Sequence, residues 1–287
     1  MLKEQGNNSK LHWPEIAQRW AQLGPPLRPS PADAEFYAKS LKRWTEGAGM
    51  PPRALIMGVT IEIYHLPWPT GTQLLAIDHT EAMIHAVWAG PLEQAVCGDW
   101  KAMPLATESR DVVLCDGGIT TLRYPDETRR MIESLERVLA PGGICTFRLY
   151  VPPSEKEGPE AVLQDLLGGR VANLNVLKLR LGMAMQTDVH DGVELRSIWN
   201  AIHDTAPDFE RLASQIGWKL EHLVTIDTYR DSRVRYYFPT EAQVLDAFEE
   251  RNGALRLEET HRSTYVLGER CPMITLRKMV NSPRAAR

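Results

Sequence analysis

Cysteine is scarce in this chain of 287 residues: there are four, Cys97, Cys115, Cys145 and Cys271, and no CxxC pair among them. That spacing indicates neither a disulfide framework nor a zinc ribbon. Three of the four fall inside apolar runs and read as buried, reduced thiols. No stretch approaches the roughly 18 uncharged apolar residues of a membrane-spanning helix, so no membrane partner is expected. The opening MLKEQGNNSKLHWPE lacks the apolar core of a secretory signal, which points to the cytoplasm. There is no long basic run, and the net charge is −4. A nucleic-acid footprint is therefore not expected. The GxGxxG turn of dinucleotide enzymes is missing too, although ALIMGVTIEIYHLPWP (54–69) begins like one.

What is present is an alternation. Ser30 is placed to cap a helix that starts at Pro31 and runs to about residue 45. Apolar runs then follow at RALIMG (53–58), QLLAID (73–78), QAVCGD (94–99), DVVLCD (111–116) and ICTFRLYV (144–151). Between them lie helical patterns at 81–88 and 126–139, the second stopped by Pro141-Gly142-Gly143. Continuous apolar strands alternating with amphipathic helices predict a parallel sheet covered on both faces. The alternation breaks at PPSEKEGP (152–159). Mostly helical patterns follow at 160–186, 193–204 and 207–217. A helix over 240–253 with Thr240 as its cap, and strands over 254–262 and 271–278, close the chain before a tail expected to fray. The expected organisation is a helical lead-in (1–52), a cofactor-binding α/β domain (53–151 and 239–280), a helical cap inserted at 152–238, and a tail (281–287). An insertion after a strand's carboxyl end sits on the face where open α/β sheets bind ligands.

Three strands end in acids: Asp78, Gly98-Asp99 and Asp116. Asp78 lies 20 residues after Gly58, about where a carboxylate grips an adenosine ribose; its bland reading is a helix cap. TDVHDG (187–192) offers Asp188, His190 and Asp191 as metal ligands, but Gly192 favours a polar turn, and no metal is expected. Arg230, Arg233 and Arg235 suit an acidic substrate group or an exposed salt-bridged loop equally.

In order, LLAIDHTEAMI, AVCGDWKAMPLATESRDVVLCDGGITTL and LERVLAPGGICTFRLYV resemble the class I S-adenosylmethionine-dependent methyltransferases. The resemblance covers roughly 53–151 and 240–278. It implies a Rossmann-like, seven-stranded, mostly parallel sheet with one antiparallel strand, helices on both faces, and S-adenosyl-L-methionine as cofactor. It implies a ribose contact by Asp78 and an adenosine lining by His79 to Met83. It further implies adenine recognition by Asp99, next to Gly98, with Trp100 against the ring, and a methionine side formed by Cys115, Asp116 and the glycines after them. The chain departs from the pattern at its turn: Ile56 stands at the acidic position, Gly58 at the first glycine, and Thr60 and Glu62 at the next two. Glu62 is expected to hold the methionine ammonium and Thr60 to cap the following turn. Candidate bases are His65, Tyr64 and Asp116, then His190 and His203. Trp13, Trp20, Tyr37 and Trp44 of the lead-in are expected to cover the cofactor. The implied function is methyl transfer to a small-molecule acceptor, with a homodimer left open. The alternatives are a non-catalytic nucleoside-binding protein with an eroded turn and, disfavoured by the missing glycines, a nicotinamide oxidoreductase.

Overall fold

The computed structural model of the chain describes residues 12–250 and 254–280. The first eleven residues, the end of the predicted 240–253 helix and the tail from 281 lie outside the described residues. Helix α1 (12–18) and helix α2 (Pro31–Ala48) form the lead-in. The sheet then begins: β1 (Arg53–Met57), helix α3 (Ile61–Tyr64), β2 (Gln73–Asp78), helix α4 (Glu81–Val87), β3 (Ala95–Cys97) and β4 (Arg110–Asp116). Helix α5 (Asp126–Val138) leads into β5 (Leu139–Arg148). The inserted segment carries α6 (Pro159–Leu167), α7 (Leu174–Met185), β6 (Val193–Glu194), α8 (Leu195–Thr205), α9 (Phe209–Ile216), α10 (Leu220–Leu223) and β7 (Arg235–Tyr236). Helix α11 (Glu241–Glu249), β8 (Leu255–His261) and β9 (Met273–Lys278) complete the fold.

The seven main strands are ordered β3-β2-β1-β4-β5-β9-β8. All neighbours from β3 to β5 are parallel, and β9 enters antiparallel between β5 and β8. This is the Rossmann-like, seven-stranded order that the resemblance implied. The strand order reverses between β1 and β4, which opens the ligand crevice there.

Period-2 alternation explains why these strands are apolar throughout. Leu55, Met57, Val113 and Cys115 pack on one face with Met131 and Leu135 of α5. Ile56, Val112 and Leu114 pack on the other with Phe36 and Tyr37 of α2 and Ile84 of α4. The capping signals hold as well. Ser30 and Asp33 form a reciprocal capping box, as do Thr240 and Gln243. The insertion closes its own cluster, with Leu177, Leu179 and Leu181 against Ile198, Ile202 and Leu212.

Two expectations need correction. The pattern over 160–186 is two helices, because the chain turns at Gly168 and Gly169 (φ 66°) before Asn173 caps α7. Pro141-Gly142-Gly143 does not separate helix from strand. The helix ends at Val138, β5 pairs first at Leu139 with Arg110, and pairing resumes at Ile144 with Val112. The Pro-Gly-Gly stretch is the bulge between. A Cβ on Gly143 would stand 2.8 Å from the Asp111 carbonyl, so only glycine lets the two strands close.

At the carboxyl end of β5 lies Arg148, whose side chain is fully buried. Its guanidinium donates to both oxygens of Asp116, at 2.5 and 3.1 Å. It also donates to the Pro26 carbonyl (2.9 Å), the Tyr265 hydroxyl (3.0 Å) and the Tyr150 hydroxyl (3.2 Å). Asp33 stands 3.5 Å away. Removing one partner from a buried ion pair strands the other's charge. Arg148→Met is therefore expected to lower the unfolding free energy by about 3–5 kcal/mol, read from urea denaturation. A loss below about 1 kcal/mol, the range of surface pairs, would show the cluster to be dispensable.

Candidate active site

The carboxyl ends of β1, β2, β3 and β4 converge on a two-part cleft. Gly58 follows β1 with φ 98°, a conformation that side chains resist. Its amide donates to the Ile77 carbonyl at 2.8 Å. The indole nitrogen of Trp100 donates to the same carbonyl at 2.9 Å, which fixes that ring as the wall between the two parts. Gly117 has φ 62°, and Cβ atoms on Gly117 and Gly118 would meet Tyr150 and Trp100, each at 2.6 Å. The glycines after β4 are thus there to let the floor of the cleft pass beneath two aromatic rings.

The outer part is a cavity of about 470 Å³ lined by His79, Gly98, Asp99, Trp100 and Arg233. Asp99 caps the short turn at Trp100–Ala102, accepting from the Lys101 amide at 2.9 Å, and is otherwise exposed. The inner part is a cavity of about 130 Å³, floored by Gly58, Thr60, Asp78, Met83, Asp116 and Gly117. Asp78 is only 7% exposed, and its carboxylate accepts from the Thr80 amide at 2.9 Å. Burial pushes its pKa up, against the pull of neighbouring His79. It is thus both a local turn-former and a cavity wall. Burial likewise raises Asp116, and the Arg148 guanidinium pulls it back.

Glu62 is not among the residues lining either cavity, although Thr60 and Leu27 line the inner one. Arg28 holds its Oε1 through Nε at 2.8 Å and a second nitrogen at 2.6 Å. Its Oε2 is buried without a hydrogen-bond partner among the described residues. A carboxylate oxygen left so is costly.

Several expected site residues lie outside the cleft or do not take the expected role. Thr60 occupies the N-cap position of α3, but its side chain makes no capping bond. Tyr64 and His65 do not line the cleft, because one turn of α3 carries Tyr64 onto Trp88, with ring centres 4.9 Å apart, and leaves His65 exposed. The Cys115 side chain packs into the core, and its carbonyl is taken by the Tyr37 hydroxyl at 2.8 Å. Asp116 does line the cavity, but Arg148 occupies both its oxygens, so it is not free to act as a base. His190 is exposed, within the polar turn that Gly192 (φ 58°) closes, and His203 stacks on Trp199. Trp13 and Trp20 cover the cavity as expected, whereas Tyr37 and Trp44 are buried against the sheet. Arg230 and Arg235 are tied to Asp227 and Glu194. Among the described residues, no three His, Cys, Asp or Glu side chains group to hold a metal ion, and no helix is long and apolar enough to cross a membrane.

Sequence reasoning missed Lys178. It lies in α7 within VLKLRL, is 3% exposed, and lines the inner cavity. Burial lowers its pKa to about 7, with a further push from Arg19. A lone lysine inside an apolar helical run was the available signal. His12 lies nearby, and burial lowers its pKa to about 4.

Residues 57–147 match a family model described as a methyltransferase domain. The chain has the class I methyltransferase fold. No curated protein sequence matches it. Similar solved structures include a Rhodobacter sphaeroides protein provisionally assigned as a Zn-dependent alcohol dehydrogenase, at 13% identity over 95% of this chain and 98% of that one, with a TM-score of 0.60. A second comes from work on conversion of a disulfide bond into a thioacetal group in echinomycin biosynthesis, at 14% identity over 96% and 94% of the two chains, with a TM-score of 0.50. A third is the N-methyltransferase NodS of Bradyrhizobium japonicum with S-adenosyl-L-homocysteine, at 13% identity over 88% and 90%, with a TM-score of 0.45. At such identities, what is shared is the fold.

A buried lysine that prefers to be neutral penalises folding wherever the unfolded chain holds its proton. The unfolded pKa is near 10.4 and the folded one about 7. The penalty is full below pH 7 and fades as pH rises toward about 10. Lys178→Met should therefore melt at a higher temperature than the native protein at neutral pH, with the gap closing as pH rises. Thermal melts across that range check this; a gap independent of pH would contradict the assignment of the burial penalty.

Proposed function

We propose that this protein is a methyltransferase that uses S-adenosyl-L-methionine to methylate a small-molecule acceptor held beneath its helical cap. The observation that carries this reading is the convergence of Gly58, Asp78 and Asp99 on one cleft that Trp13 and Trp20 cover. The residues fit the methyl donor. Asp78 is a nearly buried carboxylate suited to two vicinal ribose hydroxyls. Asp99, at the open end, suits the adenine amino group, with Trp100 as a flat wall for the ring. The unpartnered Oε2 of Glu62 suits the methionine ammonium, which takes over the task of the acid that Ile56 replaces.

The donor supplies an already activated methyl group. The protein's share is alignment and exclusion of water. Trp13, Trp20 and Tyr150 enclose the inner cavity with apolar surface. The backbone at Gly58 and Gly117 comes close to the cleft because neither position bears a side chain. The Arg148 fork fixes Asp116, so that the end of β4 presents a set surface.

Calorimetric titration with S-adenosylmethionine and S-adenosylhomocysteine tests this reading. Both are expected to bind at sub-millimolar concentration. Asp78→Ala should weaken both about tenfold or more, as expected when charge-assisted hydrogen bonds worth about 1.5–3 kcal/mol are lost. Glu62→Gln should weaken both in the same direction. Failure of the native protein to bind either compound would overturn the proposal and leave the non-catalytic reading of the fold.

A further inference from the structure

The inner cavity has two walls, and the donor accounts for only one. Lys178, Tyr229 and Tyr236 of the cap line it together with Gly58 and Gly117. Lys178 emerges from a helix whose neighbouring positions Val176, Leu177, Leu179 and Leu181 are all buried. Its ammonium lies 4.8 Å from the centre of the Tyr229 ring. It forms no hydrogen bond or ion pair with any described residue. The other titratable groups facing it are His12 and Arg19 from the lead-in and Tyr229 and Tyr236 from the cap. Across the cavity, Asp116 is occupied by Arg148. An unpaired amine in so dry a place weakens the fold. A leucine or methionine would pack there without that cost, so the amine calls for a partner that none of the described residues supplies.

Resting on the methyl-transfer reading above, we propose that Lys178 is the catalytic group that takes the acceptor's proton, and that the acceptor is a flat molecule bearing an acidic hydroxyl, of the phenol class. The remaining lining favours such a molecule. Trp13, Trp20, Tyr150, Tyr229 and Tyr236 offer aromatic surface and few charges, which suits a planar apolar body. A cationic amine acceptor would meet Lys178 in the cavity, with Arg19 close to it. A carboxylate acceptor carries no proton at neutral pH and would give Lys178 nothing to remove. A phenol needs the base, and an amine titrating near pH 7 is poised to serve.

The step balances. The neutral Lys178 amine takes the hydroxyl proton and becomes an ammonium. The acceptor oxygen's electron pair forms the new C–O bond to the methyl carbon. The S–CH3 bond breaks, and its electrons return to sulfur, leaving a neutral thioether. Lys178 then releases the proton to solvent. Arg19 and the desolvated surroundings favour that release.

The test uses the full-length protein and 4-nitrophenol, whose ionised form is yellow, in a buffer below the dye's own pKa. Proton transfer to Lys178 is expected to bring up the phenolate band on binding. In Lys178→Met the band should vanish and dye affinity should fall about tenfold or more, the scale of a lost charge-assisted contact. Adenosylhomocysteine affinity, measured by calorimetry on the same samples, should stay within about twofold, since Lys178 faces the acceptor and not the donor. A band unchanged in Lys178→Met, or no band in the native protein, overturns the assignment. Running the dye with and without adenosylhomocysteine separates the two readings: absent nucleoside binding defeats the methyl-donor reading, and a missing band defeats the role of Lys178.

Discussion

The buried guanidinium of Arg148 ties together three segments that are distant in the chain and meet near the cleft. It fixes the end of β4 through Asp116, the lead-in through the Pro26 carbonyl and Asp33, and the stretch between β8 and β9 through Tyr265. Tyr150 doubles the link by donating to the Pro26 and Leu27 carbonyls. A charge so placed is tolerated only because each of its donors finds an acceptor. Leu27 lines the inner cavity, and Arg28 next to it grips Glu62. The turn after β1, the lead-in and the end of β4 are therefore linked through Arg28 and Arg148.

That assembly bears on the divergent turn. With Ile56 where an acid is customary, the sheet keeps an unbroken apolar face. A negative charge stands instead on α3, as Glu62, held by Arg28. One glycine suffices after β1 because only Gly58 requires a positive φ there. Thr60 stays buried without capping anything.

Much of the sheet was legible because period, caps and acid-tipped strands all pointed the same way. Ser30 and Thr240 cap as their types dictate, and Asp78 and Asp99 reach the cleft because strand ends leave them nowhere else to go. The side chains around the inner cavity were less legible. His65 and Tyr64 follow the glycine turn in sequence, yet one turn of helix rotates them away. Asp116 reaches the site, but its partner Arg148 lies 32 residues on and reads as one more basic residue. Lys178 was hidden by its company, since a helix rich in leucine suggests packing and only its depth of burial reveals an amine facing a cavity. Neighbourhood along the chain predicted what the backbone does and failed where side chains from distant segments meet.

The account's central claim is that the cleft at the ends of β1, β2 and β4 holds the methyl donor, with Glu62 serving its ammonium. A crystal structure with S-adenosylhomocysteine tests this most directly. The account predicts the amino nitrogen within about 3.2 Å of Glu62 Oε2, the ribose hydroxyls on Asp78, and the sulfur in the inner cavity facing Lys178. A nucleoside whose ribose avoids Asp78, or whose sulfur lies outside that cavity, would contradict it.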